Sequence, residues 1–191
     1  MQDDTVFLLT VPHATCPAKP DPRDPNIHPC DTAAKGAAIA LAHYLLPHRR
    51  RVFVCSTPRF PKDANRVTGA LLPMRRAHRR ALAEHARTMT LDVHSFPVGM
   101  PARDNDLHFM DDHPFQPWVA AFVAEVAKRL PRLRVEFMAG SHMNDIVGET
   151  KLHGRPAILV EVSEGLGRDD VNGAMKAIAD VAFEFANTRR V

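Results

Sequence analysis

The chain has 191 residues, 45% of them hydrophobic and 25% charged, with a formal net charge of +3 and a pI near 9.0. That length holds one domain with a real core and is short for two. The composition excludes a disordered or fibrous chain, and no run nears the ~20 uninterrupted apolar residues of a membrane span. Mild basicity is not in itself a nucleic-acid signature. The expectation is a single soluble domain over residues 1–191.

The start of the chain has two aspartates and no basic leader pattern before its first apolar run, so no secretory signal is expected. Cys16, Cys30 and Cys55 cannot all pair, and three cysteines do not suggest a disulfide scaffold. Both points favour a reducing, cytoplasmic compartment. The unusual counts are 11 His and 16 Pro against one Trp and one Tyr, and the histidine excess directs attention to metal binding.

In chain order, residues 6–11 form a short apolar run of strand length. Six prolines between positions 12 and 29 predict a long loop. An alanine-rich helix is expected over 32–46, with Ala38, Leu41, Ala42 and Leu45 on one face and Asp31 where an N-cap belongs. A strand follows at 52–55, then a very basic helix at 73–88 and strands at 89–93 and 107–110. The helix at 115–130 places Trp118, Val119, Phe122, Val123 and Val126 on one side. Residues 133–138 alternate as a strand does, 157–162 read as a buried strand, and 171–186 as a closing helix with Val171, Ala174, Met175, Ile178 and Phe185 inward. Alternating strands and helices predict a three-layer αβα sandwich around a mixed, mainly parallel sheet.

In such folds ligands sit outside the carboxyl ends of the strands. Those ends carry His13 after the first strand, Asp92-x-His94-Ser95 on the third, and Glu161 within Leu159-Val160-Glu161-Val162. Asn65 and Arg66 follow the second strand. Two histidines and a carboxylate from separate strands match a zinc site with one open position. A further glutamate could act as general base, and an arginine could hold a carboxylate through paired hydrogen bonds. Each residue also has a plainer reading. A histidine after a strand is commonly a solvated side chain, and Asp92 could cap a turn. Glu161 is harder to explain structurally, because a charge among Ile158, Leu159, Val160 and Val162 needs a partner or a task.

Taken together, Val11-Pro12-His13-Ala14, His28-Pro29-Cys30-Asp31, Asp63-Ala64-Asn65-Arg66, Leu91-Asp92-Val93-His94-Ser95-Phe96, the stretch from Arg103 to Met110 and the approach Lys151 to Pro156 into Glu161 resemble the N-formylglutamate amidohydrolases. The likeness runs over roughly residues 6–166. It implies a zinc carboxypeptidase-like, phosphorylase/hydrolase-like fold, one Zn2+ per chain, and hydrolysis of the amide of a small N-acyl amino acid or acyl peptide. By this resemblance His13 and His94 are zinc ligands. The third ligand is Asp31, at the start of a helix, or Cys16, three residues after His13. Glu161 is the general base, Arg66 with Asn65 binds a substrate carboxylate or polarises the scissile carbonyl, and Asp92 orients a ligand histidine. Arg103, His108, His142 and His153 are candidate substrate contacts, a surface or loop position being the preferred reading for His108.

The chain is shorter than those amidohydrolases, and the shortened stretches after Arg66 and between Arg103 and His108 are where substrate loops would lie. A zinc peptidase or cell-wall-type amidase of the same fold is therefore the alternative. Two rivals come from other classes. Arg49-Arg50-Arg51 and Arg75, Arg76, Arg79 and Arg80 could bind nucleic acid, although few aromatic residues are available for stacking and a solvated helix face explains them better. A non-catalytic relative would keep the fold without His13, His94 and Glu161 together.

Overall fold

The computed structural model describes residues 5–15, 30–46, 51–58, 73–99, 105–111, 116–139 and 145–188, the side chains of 14, 15 and 51–58 excepted. The elements are β1 (Val6–Thr15), α1 (Ala34–Leu45), β2 (Arg51–Pro58), α2 (Pro73–Glu84), β3 (Thr88–Phe96), β4 (Leu107–Asp111), α3 (Trp118–Arg129), β5 (Val135–Ala139), α4 (Asp145–Leu152), β6 (Ala157–Ser163) and α5 (Arg168–Thr188). They form one six-stranded sheet in the order β2-β1-β3-β6-β4-β5. Pairing is parallel throughout except between β4 and β6, which run antiparallel. The sheet is thus mixed and mainly parallel, as expected.

Side chains alternate between the faces of a strand, and here the two faces differ. Phe7, Leu9 and Val11 of β1, Met89, Leu91 and Val93 of β3, and Ile158, Val160 and Val162 of β6 join one large apolar core with α1, α3 and α5. In that layer α1 buries Ala34, Ala37, Ala38, Leu41 and Leu45, and α3 buries Val119, Phe122, Val123 and Val126. The rings of Phe109, Trp118, Phe122 and Phe185 meet at centroid distances of 5.5–6.1 Å, mostly edge to face. The opposite face is covered by α2 and α4 and holds two small apolar clusters: Val6 and Leu8 with Ala81 and Leu82, and Met110, Ala157 and Leu159 with Val147. Every residue of β3 and of β6 is buried, as strands covered on both faces should be. No helix among the described residues is long and apolar enough to cross a membrane.

Three expectations need correction. β1 does not stop before Pro12 but runs to Thr15, with a register shift between Val11 and Thr15; a bulge is where a strand tolerates a residue that cannot donate to the ladder. Residues 145–152, for which the sequence pattern predicts no element, form helix α4. Its inward positions include Thr150 and Lys151, so its pattern is not apolar. Thr150 Oγ1 meets Thr90 Oγ1 at 3.1 Å and His78 Nε2 at 3.0 Å, and Lys151 forms a buried ion pair with Asp111. Finally, Asp31 does not cap α1: the N-cap position is Ala33, with no side-chain cap.

Candidate metal centre

Parallel β1 and β3 end on the same rim, and the chain returns to that rim just before α1. This brings His13, Asp31 and His94 together. Their donor atoms all lie within 4.8 Å of one another, and all three residues are buried, at 3%, 2% and 6% exposure. His94 Nδ1 lies 2.7 Å from Asp31 Oδ2, and His13 Nδ1 lies 3.6 Å from the same oxygen. The two imidazoles stand edge to face with centroids 5.1 Å apart. The Asp31 backbone N–H donates to the His13 carbonyl at 2.9 Å, which holds the carboxylate's chain segment against the end of β1.

Behind His94 a second carboxylate closes the arrangement. Asp92 Oδ2 sits 3.0 Å from His94 Nε2, and Thr10 Oγ1 donates to Asp92 Oδ1. The pairing Thr10↔Asp92 between β1 and β3 places both side chains on one face. The relay Thr10–Asp92–His94 fixes the ring orientation and leaves Nδ1 directed at Asp31. Carboxylate–histidine relays of this form orient metal-binding imidazoles.

The electrostatics follow from burial among opposite charges. Burial alone would raise the Asp31 carboxyl, but the hydrogen bonds with His13 and His94 outweigh it and hold the group well below the usual carboxylate range. Burial alone would lower His94. The charge of Asp92, with hydrogen bonds to Asp31 and Asp92, instead pushes it up to about 9. Two buried carboxylates facing two imidazoles form a place that calls for positive charge. Zinc takes nitrogen and oxygen donors at about 2.0–2.2 Å, so two imidazole nitrogens and an ionised carboxylate within this span fit such an ion.

Glu161 enters from β6. The parallel register pairs it with His94, and the antiparallel register pairs it with His108 of β4. All three side chains therefore belong to the same face, and Glu161 is buried at 9% exposure. His108 corrects the preferred reading: it is a strand residue at 1% exposure, with Nδ1 3.3 Å from Asn105 Nδ2. His153 is exposed beyond α4. Cys16, Asn65, Arg66, Arg103 and His142 lie outside the described residues, so of the two candidate third donors the structure shows Asp31 beside the histidines. Cys30, immediately before Asp31, is disulfide-bonded. Such bridges belong to oxidising compartments, which pulls against the reducing compartment favoured by the cysteine count.

The sequence pattern gives no role of their own to three residues near the centre. Thr10 sits two strand positions from Leu8 on the face that Asp92 uses, a signal that alternation could have supplied. Ser95 adjoins His94. Glu164 lies beyond the end of β6, and nothing in its local sequence marks it.

The basic helix is partly internal. Arg75 and His78 are buried. Arg75 Nη2 lies 3.1 Å from Glu149 Oε2, and Arg79 pairs with the other oxygen of the same carboxylate. Glu149 is thereby held down: burial raises it, but His78, Arg79 and Arg75 together bring it to about 2. Half of the arginine cluster thus serves α2–α4 packing, while Arg76 and Arg80 face solvent.

No protein-family model matches the chain, and no curated protein matches its sequence. Solved structures do match. An N-acetylmuramoyl-L-alanine amidase from Clostridium difficile 630 is 9% identical with a TM-score of 0.61, covering 99% of this chain and 100% of its own. AmiC2 of Nostoc punctiforme, also an N-acetylmuramoyl-L-alanine amidase, is 12% identical with a TM-score of 0.62, covering 95% and 97%. A metallo-carboxypeptidase from Burkholderia cenocepacia is 12% identical with a TM-score of 0.54, covering 97% of this chain and 57% of its own. At these identities the likeness is one of fold, and the chain has the α/β fold that these amidases and the carboxypeptidase share.

Proposed function

We propose that this protein is a metal-dependent amide hydrolase that cleaves the acyl–nitrogen bond of an N-acyl amino acid, with one zinc ion held by His13, Asp31 and His94. The convergence of those three buried side chains on one point carries the reading. A zinc ion bound there would supply the Lewis acidity that polarises an amide carbonyl and makes water nucleophilic near neutral pH. Glu161, on the same sheet face as His94, takes the proton from the attacking water and delivers it to the departing amine. Asp92 and Thr10 keep the His94 ring oriented. Arg66 with Asn65 binds the substrate carboxylate, and Arg103 and His142 add substrate contacts. Those four assignments rest on the resemblance to N-formylglutamate amidohydrolases.

A second reading has its own support. Two of the similar solved structures that match nearly end to end are N-acetylmuramoyl-L-alanine amidases. The bond named in that activity is also an amide between an acyl group and an L-amino acid, so the two readings share their chemistry and differ in substrate size. The partner is accordingly a small N-acyl amino acid or an acyl peptide. The smaller substrate suits the expected cytoplasmic location, and the larger one suits an oxidising compartment of the kind that the Cys30 disulfide favours.

Elemental analysis of tag-free protein should give about one zinc per chain, lost in His94→Ala. Glu161→Gln should keep the metal and lose roughly 10²–10⁴ in rate on an N-acyl amino acid panel that includes N-formylglutamate and a muramoyl peptide. Parent-like hydrolysis by Glu161→Gln would remove Glu161 as the base. Preference within the panel decides between the two substrate readings.

A further inference from the structure

The turn that carries Asp31 into α1 is held by residues from two other elements. A helix start leaves backbone N–H groups that its own chain normally caps. α1 has no side-chain cap, and Asp31, the residue best suited to supply one, has its carboxylate committed to His13 and His94. Two backbone N–H groups leading into α1, those of Thr32 and of the N-cap Ala33, are met from across the rim instead. Thr32 N–H donates to Glu164 Oε1 at 2.8 Å, and Ala33 N–H donates to Ser95 Oγ at 3.2 Å. Ser95 Oγ in turn donates to the same Glu164 Oε1 at 2.8 Å. The Glu164 backbone is itself fixed, its N–H donating to the Phe96 carbonyl at 2.9 Å.

We infer that Ser95 and Glu164 are positioning residues that set the Asp31 carboxylate as the third metal donor; this rests on the proposed metal-binding reading. Ser95 follows His94 directly, and Glu164 lies three residues beyond Glu161. The two strands that bring a ligand and a base to the rim therefore also clamp the segment bearing the remaining ligand. Without the clamp, the N–H groups of residues 32 and 33 lose these two partners, and the turn after Asp31 loses its ties to β3 and to the end of β6, while the Asp31 backbone keeps its tie to His13. Its carboxylate would then sample orientations away from the two imidazoles. Partners at this remove from a metal typically govern 10–100-fold in affinity. The negative charge of Glu164 also suits a helix amino end, but that contribution is small and does not depend on metal.

The test measures zinc affinity by competition with a chromophoric chelator and records the visible spectrum of the cobalt-loaded protein. Urea unfolding in chelator, where no metal contributes, reports the purely structural effect. Glu164→Ala should weaken zinc binding about 10–100-fold and alter the cobalt spectrum. Glu164→Gln keeps an acceptor oxygen and should restore affinity to within about threefold, because only the charge is lost. Ser95→Ala, which removes one link of the clamp, should fall between them and serves if Glu164→Ala does not fold. Glu164→Ala with parent-like affinity and spectrum overturns the positioning role, whatever its stability in chelator. A parent that takes up neither zinc nor cobalt overturns the metal reading itself and this inference with it, a result distinct from the first because it appears before any substitution.

Discussion

The two faces of the central strands are both buried, but one is wholly apolar and the other mixes small apolar clusters with polar groups. Toward α1, α3 and α5, β1, β3 and β6 present Phe7, Leu9, Val11, Met89, Leu91, Val93, Ile158, Val160 and Val162. Toward α2 and α4, besides Val6, Leu8, Ala157 and Leu159, the intervening positions present Thr10, Thr88, Thr90, Asp92, His94 and Glu161, all buried. The same backbone therefore serves two purposes at a period of two residues. One face supplies non-directional burial, worth about 1.5–3 kcal/mol per large side chain. The other holds polar groups, several of them matched to one another, as Thr10 is to Asp92, Asp92 to His94 and Thr90 to Thr150. Damage to the first face should appear as lost stability and damage to the second as lost binding.

The largest expected effect tests the apolar face. Phe122 is fully buried amid three aromatic neighbours, and Phe122→Ala should cost about 3–5 kcal/mol in urea unfolding. Zinc affinity of the folded fraction should stay at the parent value. A proportional loss of affinity would show that the two faces are coupled.

A smaller effect tests the polar face. Thr10→Val keeps the shape of the side chain but removes its hydrogen bond to Asp92. It should lower zinc affinity about 10–100-fold with a stability change near 1 kcal/mol, both read on the same preparation. A stability loss without a change in affinity would reduce Thr10 to a packing residue.

The smallest effect concerns the polar face away from the centre. Glu149 titrates near 2 in the folded chain, below its ordinary 4.5. A carboxylate lowered in this way stabilises the fold fully above the unfolded value, and that contribution disappears as pH falls from about 4.5 to about 2. Glu149→Gln should therefore be less stable than the parent at neutral pH, with the difference closing across that acid window. Partial exposure of the carboxylate keeps the effect modest. A difference that is constant with pH would deny Glu149 its charge role.

The apolar face was the more legible of the two. Helical spacing in the segments that become α1, α3 and α5 identifies inward positions such as Leu41, Phe122 and Ile178, because burial against a sheet requires that spacing. Strand-end logic points to His13, Asp92, His94 and Glu161, and the structure brings His13 and His94 together with Asp31, sets Asp92 behind His94 and places Glu161 in register beside it. Legibility failed where a polar group has a distant partner. α4 turns Thr150 and Lys151 inward to meet Thr90, His78 and Asp111, so its buried stripe does not look apolar. Asp31 looks like a cap because caps are local, whereas its actual partners lie on β1 and β3. His108 looked peripheral because its significance depends on the pairing of β4 with β6, which no local pattern encodes.

The reversed direction of β4 has a consequence for how the fold tolerates changes in length. Parallel strands meet the rim of the candidate metal centre at their carboxyl ends, but β4 meets it at its amino end, where Asn105 and His108 lie. Its carboxyl end, at Asp111, emerges beside Lys151 and Gln116 on the opposite rim. Residues inserted ahead of β4 would therefore be added to the wall beside Glu161, and residues inserted after it would leave that wall unchanged. Of the two connections to this strand, the one ahead of it is where insertion would add chain beside the candidate metal centre without disturbing the Asp111–Lys151 pair.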